Sequence, residues 1–338
     1  MAPEPEARRL RMRDVAKLAG VSTITVSRAL RTPDVVSKAT LERINAAVEA
    51  TGFISDLHAG SLRSGASKLI AAVVPTLQSS IAGDTIEGLS SVLQPQGFQI
   101  MITPSQYDLD KEEQIVRDAL RWRPAAIVLS GVTHSPATVE MIQRSNIPLA
   151  EVWGETNNPR DIVVAVPNRS AAHRMTQSLV SWGYRKIGFV HFPKKNNDRV
   201  MHRIEGYTRG MQEAGIPVTP EMTIEVANSY AAGAEAVVRL KDRVPDIDAV
   251  FCGSDVLAVG ALTECLRRGW RVPEGLAVAG FDDLDISSIL VPTLTTIRTN
   301  RYEAGRRAAE LLLSRIEGNT GAAISETMGF EIVRRASA

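Results

Sequence analysis

Only two cysteines, Cys252 and Cys265, and five histidines are spread over 338 residues. That is too few for a disulfide framework or a four-ligand zinc site, so two buried thiols and no structural metal are expected. No run of about 18 apolar residues occurs, which excludes a membrane-spanning helix. The first residues are basic but are followed by no apolar stretch before Asp14, so they do not read as a secretory signal. The cytoplasm is the expected compartment. Also missing are a Gly-rich phosphate loop, a histidine–acid metal cluster and a nucleophile elbow, so neither an enzyme nor a cofactor is expected. Neither charge sign dominates the total of +1.

What is present is a soluble globular composition, 44% hydrophobic with mean hydropathy −0.04. Its 36.6 kDa is long enough for a small module and a two-lobed body. The charge is unevenly placed: between Arg8 and Gly65 stand ten basic and five acidic residues, whereas the rest of the chain is near neutral. A basic head points to a polyanionic partner for the head alone, although a solvated basic face would look the same. Within it, spacing predicts helices over 12–19, with Val15, Leu18 and Ala19 inward, over 23–30 capped by Ser22, and over 38–50 capped by Ser37. Gly20 and Gly52 terminate the first and third. Two helices joined by Gly-Val-Ser form a helix-turn-helix, whose second helix offers its early residues to the major groove.

From Lys68 onward, short apolar runs alternate with amphipathic stretches. The runs are Leu69–Val74, Gln99–Ile102, Ala125–Leu129, Ile147–Trp153, Ile187–Val190, Ala249–Cys252 and Leu276–Gly280, a pattern that predicts a doubly wound α/β body. Two sets of such units, broken near Pro167, predict two lobes with a ligand cleft between them.

Asp14-Val-Ala-Lys-Leu-Ala-Gly-Val-Ser-Thr-Ile-Thr-Val-Ser-Arg28, Val36-Ser-Lys-Ala-Thr40 and Gly52-Phe-Ile54 closely resemble the amino-terminal signature of the lactose-repressor (LacI/GalR) family. The likeness continues through Asn168, Gly183–Phe189, Arg203–Tyr207, Phe251–Asp255, Val278–Asp283 and Pro292–Ile297, in family order. It is nearest the gluconate repressors in Thr133-His-Ser-Pro136, Pro148-Leu-Ala-Glu151 and Val250-Phe-Cys252. The resemblance implies an allosteric regulator, a repressor, that binds double-stranded operator DNA as a homodimer and takes a sugar-type effector in a periplasmic-binding-protein fold. The implied organisation is a disordered tail 1–11, a helix-turn-helix head 12–55, a hinge 56–67 and an effector domain 68–338. Lobe one would take 68–166 and 296–325, and lobe two 167–295 and 326–338.

Thr23, Ile24 and Arg28 are the expected base-reading set, Arg28 through its planar fork and Ile24 through apolar contact. Ser22, Thr25, Ser27 and Lys38 suit the phosphate backbone. Leu62 matches the leucine that the family wedges into the minor groove; alternatively it packs on a neighbouring domain as part of a tether. Ser79, Trp153, Arg203, Ser254, Asp282 and Arg301 match effector positions, and Asp255 a helix cap. Asp282 and Arg203 could instead form an internal ion pair, and Trp153 could be core packing. Arg301 is expected to hold the carboxylate of a gluconate-like sugar acid, unless it pairs with Glu303 or Glu310 on its own helix. Phosphorylated and neutral sugars remain rival effectors, and a solute receptor remains a rival function.

Overall fold

The computed structural model describes residues 11–53, 67–77 and 80–338, apart from the side chain of Arg31. The chain divides into two compact units, residues 1–67 and 68–338. The expected tail up to residue 10, most of the expected hinge including Leu62, and Ser79 in the cleft all lie outside the described residues.

The first unit contains helices α1 (Met12–Ala19), α2 (Thr23–Arg31) and α3 (Lys38–Thr51). Val15, Ala16, Ala19, Val26, Ala29, Ile44 and Ala47 form its core. Gly20 adopts φ +64° at the end of α1, a left-handed conformation that closes the helix at low steric cost for glycine. Ser22 caps α2 by accepting from the Thr25 amide at 3.1 Å. Two expectations fail here. Leu18 is 60% exposed, because the buried stripe of α1 is centred on Val15, Ala16 and Ala19 and Leu18 lies roughly a third of a turn away. Ser37 makes no side-chain cap, and its hydroxyl donates to Thr40 Oγ1 instead.

The second unit has two lobes. Lobe one is built on a parallel sheet ordered β11-β5-β4-β3-β1-β2, comprising β1 (Leu69–Val74), β2 (Gln99–Pro104), β3 (Ala126–Ser130), β4 (Leu149–Trp153), β5 (Ile162–Ala165) and β11 (Ile324–Thr327). Helices α4 (Ser80–Leu93) and α11 (Arg301–Ile316) cover one face, and α5 (Leu109–Arg121) and α6 (Pro136–Ser145) cover the other. The alternating burial faces of strands such as β1 supply both cores, as a sheet covered on both sides requires. Helices α4 and α11 approach closely because Gly88 lies against the Tyr302 carbonyl and Gly305 against that of Thr85, where any Cβ would collide with backbone. This contact brings Asp84 of α4 to Arg301, the first residue of α11.

Lobe two has a sheet ordered β7-β6-β8-β9, with β6 (Ile187–His191), β7 (Thr223–Glu225), β8 (Ala249–Cys252) and β9 (Ala277–Ala279). Its helices are α7 (Asn168–Ser181), α8 (Asp198–Glu213), α9 (Tyr230–Arg243) and α10 (Asp255–Arg267). An antiparallel pair, β10 (Thr296–Thr299) with β12 (Phe330–Val333), continues this lobe, through bridges from Thr295 to Ala279 and from Arg298 to Asp282. The chain therefore re-enters lobe one at Asn300, four residues later than the expected 296. It leaves again after β11, at Met328 rather than 326, since β11 pairs with β5 as far as Thr327. Cys252 and Cys265 are both buried and unbridged.

Candidate functional site

On α2 the core takes Val26 and Ala29, so helical periodicity turns Thr23, Ile24 and Arg28 to solvent. Ile24 is 70% exposed, which removes it from the core despite its apolar side chain. Thr25 and Ser27 are partly buried beside this face, the Ser22 hydroxyl contacts Thr25 Oγ1 at 2.8 Å, and Lys38 is exposed at the start of α3. An exposed row holding a planar guanidinium, a branched apolar group and hydroxyls carries both the donors and the methyl contact that base edges recognise.

The second site is a cavity of about 50 Å³ between the lobes, at the carboxyl ends of their strands. Trp153, the last residue of β4, enters it at φ +72°, and its indole Nε1 donates to Thr85 Oγ1 at 3.0 Å. From lobe two come Arg203 of α8, Ser254 at the head of α10, and Asp282 beyond β9. Arg203 is held on several sides. Its Nε donates to Asn168 Oδ1 at 2.9 Å, its Nη1 to the Gly253 carbonyl, and its guanidinium lies 3.6 Å from the Phe281 ring centroid. Nη2 stands 3.7 Å from Asp282 Oδ1, a loose ion pair. Burial lowers the Arg203 pKa, because charge is costly to desolvate.

Asp282 adopts φ +116°, a strained backbone for a non-glycine residue, and its buried Oδ2 has no hydrogen-bond partner among the described residues. Burial raises its pKa, against the opposing pull of Arg203 and Arg301. An orphaned buried acceptor of this kind suits a ligand hydroxyl. Ser254 accepts from the Leu257 amide at 3.3 Å and donates to Asn228 Oδ1 at 2.8 Å. Ser254 is thus the cap of α10, a role expected of Asp255. The Asp255 carboxylate reaches away, to the Leu284 amide, Ser287 and Thr296. Burial, with the charge of Asp282, lifts the Asp255 pKa to about 6.

Arg301 faces the cleft but each of its three nitrogens is already engaged. Nε and Nη2 bind Asp84 Oδ2 at 2.9 and 2.7 Å, and Nη1 binds the Asp282 carbonyl. It is a strut between lobes rather than an open fork. The alternative partners Glu303 and Glu310 bind Arg306 instead.

Two family models match the chain. Residues 11–56 fit the one described as bacterial regulatory proteins, lacI family, and residues 176–338 fit a periplasmic binding protein-like domain. The HTH-type transcriptional regulator GntR of Escherichia coli (strain K12) is 33% identical over 95% of this chain and 96% of its own length. The chain belongs to the lacI family. A GntR from Pseudomonas aeruginosa is 35% identical over 96% of this chain and 95% of its own. A crystal structure of a LacI-family regulator from Silicibacter pomeroyi superposes with TM-score 0.89 at 30% identity, covering 97% of this chain and 99% of that one. Like its relatives, this lacI-family chain is a DNA-binding transcriptional regulator and not an enzyme.

The cleft of this lacI-family regulator also holds Arg199, Tyr107 and Asn228, which no motif in the sequence marks as effector positions. Arg199 precedes Arg203 by one helical turn, and that spacing was the available signal. Tyr107 comes from the loop after β2, 5.9 Å from the Phe192 ring, and no periodicity marks it.

Proposed function

We propose that this protein is a homodimeric repressor that binds a near-palindromic operator through Thr23, Ile24 and Arg28 and is controlled by a sugar acid held between its lobes. The arginines of the cleft carry the effector reading: three buried guanidinium groups line it, Arg199, Arg203 and Arg301, and although Asp198, Asp282 and Asp84 accompany them, Arg199 and Arg203 keep N–H donors that no hydrogen bond among the described residues uses. A polyol with one acidic end offers this wall an anion and offers Asp282 and Ser254 hydroxyls. Ser22, Thr25, Ser27 and Lys38 position α2 on phosphates, and Leu62 wedges the operator centre. Such a regulator works in the cytoplasm, where its DNA is.

A second copy fits the surface after β9. Ile289 and Val291 are 77% and 82% exposed, and apolar side chains so placed are natural interface anchors.

The test is differential scanning fluorimetry of the full chain with gluconate, glucose 6-phosphate, glucose and a purine base. Gluconate is expected to raise Tm most, since a ligand at a hundredfold excess over its Kd adds about 2.7 kcal/mol to stability. A larger shift with glucose or the purine overturns the sugar-acid reading. A gel shift that shows no preference for any genomic fragment overturns the operator reading.

A further inference from the structure

Three arginines share the cleft, and their bonds make them unequal. Arg301 has all three nitrogens engaged by Asp84, Thr299 and the Asp282 carbonyl. Arg203 has given Nε to Asn168 and Nη1 to Gly253, and Nη2 leans toward Asp282. Arg199 is as deeply buried, at 7% exposed, yet its one side-chain partner among the described residues is the adjacent Asp198, 3.3 Å from Nη1. No hydrogen bond from its Nε or Nη2 is found among the described residues, and the side chain is part of the cavity wall. From the geometry we infer that Arg199, rather than Arg301, is the residue that clasps the effector's carboxylate and sets the preference for an acid over a neutral polyol. This inference rests on the sugar-acid reading.

The setting of Arg199 explains how such a preference would be felt by both lobes. Asp198 and Arg199 open α8 in lobe two, and they fill a gap in lobe one between Gly131, after β3, and Gly154, after β4. A methyl group at Gly131 would overlap Arg199 Nη1, and one at Gly154 would crowd Asp198 Oδ2. The guanidinium therefore lies directly on lobe-one backbone, at the seam. A carboxylate held there completes a contact that only the approximated lobes offer, so binding energy that discriminates the acid also holds the lobes together. The hydroxyl end of the same ligand falls to Asp282 Oδ2, which has no donor among the described residues. The guanidinium, planar and weakly hydrated, suits a carboxylate in a bidentate mode that lysine does not reproduce.

The experiment is isothermal titration of the full-length protein with gluconate and with glucitol, which carries a hydroxymethyl group where gluconate has its carboxylate. Wild type is expected to favour gluconate by tenfold or more. Arg199→Gln is expected to erase that ratio, Arg199→Lys to keep part of it, and Arg301→Gln to weaken both ligands alike with the ratio preserved. Circular dichroism and Tm establish that each variant folds, and the lysine variant carries the test if the glutamine variant does not. A ratio unchanged in Arg199→Gln, or unchanged in Arg199→Lys if only that variant folds, overturns the role of Arg199 and leaves the sugar-acid reading standing. A wild type that binds neither ligand, or that favours glucitol, overturns the sugar-acid reading and the role of Arg199 with it.

Discussion

Residue chemistry on the proposed DNA face is expected to separate reading from holding. Arg28 presents a fork on the exposed face of α2, whereas Lys38 presents a point charge at the start of α3. Arg28→Ala is expected to cost about 1–3 kcal/mol at one base pair per half-site and to relax preference there. Lys38→Ala is expected to lower affinity evenly for all sequences. Competitive binding to a library of operator variants distinguishes them, and equal losses on specific and random DNA for Arg28→Ala would contradict its reading role. The exposure of Thr23, Ile24 and Arg28 was legible because helical periodicity fixes which side of α2 they occupy. The cleft was less so, since its bonds join residues distant in sequence. No local pattern announces that Arg301 is claimed by Asp84, 217 positions earlier, or that Asp255 ties β10 while its neighbour Ser254 caps the helix.

Elements of lobe one are tied together by a buried polar group, two members of which, His134 and Glu151, lie in stretches that resemble the gluconate repressors, Thr133–Pro136 and Pro148–Glu151. His134, before α6, contacts Glu112 of α5 at 2.6 Å and Glu151 of β4 at 3.2 Å, and Arg160 reaches Glu151 at 2.6 Å. Burial alone would depress the His134 pKa, but its hydrogen bond to Glu112 and the close Glu151 carboxylate outweigh that and lift it to about 9. A histidine pKa raised on folding contributes stability in full below its unfolded value near 6.5, and that contribution disappears as pH climbs through about 9. Its limit is roughly 3 kcal/mol. Urea denaturation of wild type is expected to show stability falling over that window, and His134→Gln to be less stable at pH 6 with this fall absent. A wild-type profile flat from pH 6.5 to 9 would refute it. Strand legibility followed the same logic of locality. Long apolar runs such as Leu69–Val74 and Ala249–Cys252 matched the observed strands end to end. The half-exposed β11 escaped, because Ile324 is its single apolar residue and too little pattern is left to mark a strand, whereas the buried β5 is as apolar as Ala249–Cys252 and was missed without that excuse.

For the whole molecule, pairing of two copies through the surface after β9 is expected to be disrupted by charge. Val291→Asp is expected to shift sedimentation from dimer toward monomer at micromolar concentration and to weaken operator binding steeply, with far-UV circular dichroism unchanged. A dimer undisturbed by this change would move the interface elsewhere. The placement of Trp153 has an optical consequence. Of the four tryptophans, Trp122 is half-exposed just after α5, Trp182 lies under Arg334 and Trp270 beside Arg268, all outside the cavity lining. Only Trp153 lines the cavity, its indole bonded to lobe one through Thr85 and its carbonyl to Asn168 at the root of lobe two. Ligand entry alters the polarity around that one fluorophore and the strain on both of its bonds. The protein is thus its own indicator: effector titration is expected to move its intrinsic emission in a saturable way that Trp153→Phe abolishes and Trp182→Phe leaves intact, allowing occupancy to be followed without a dye while the same sample is bound to DNA.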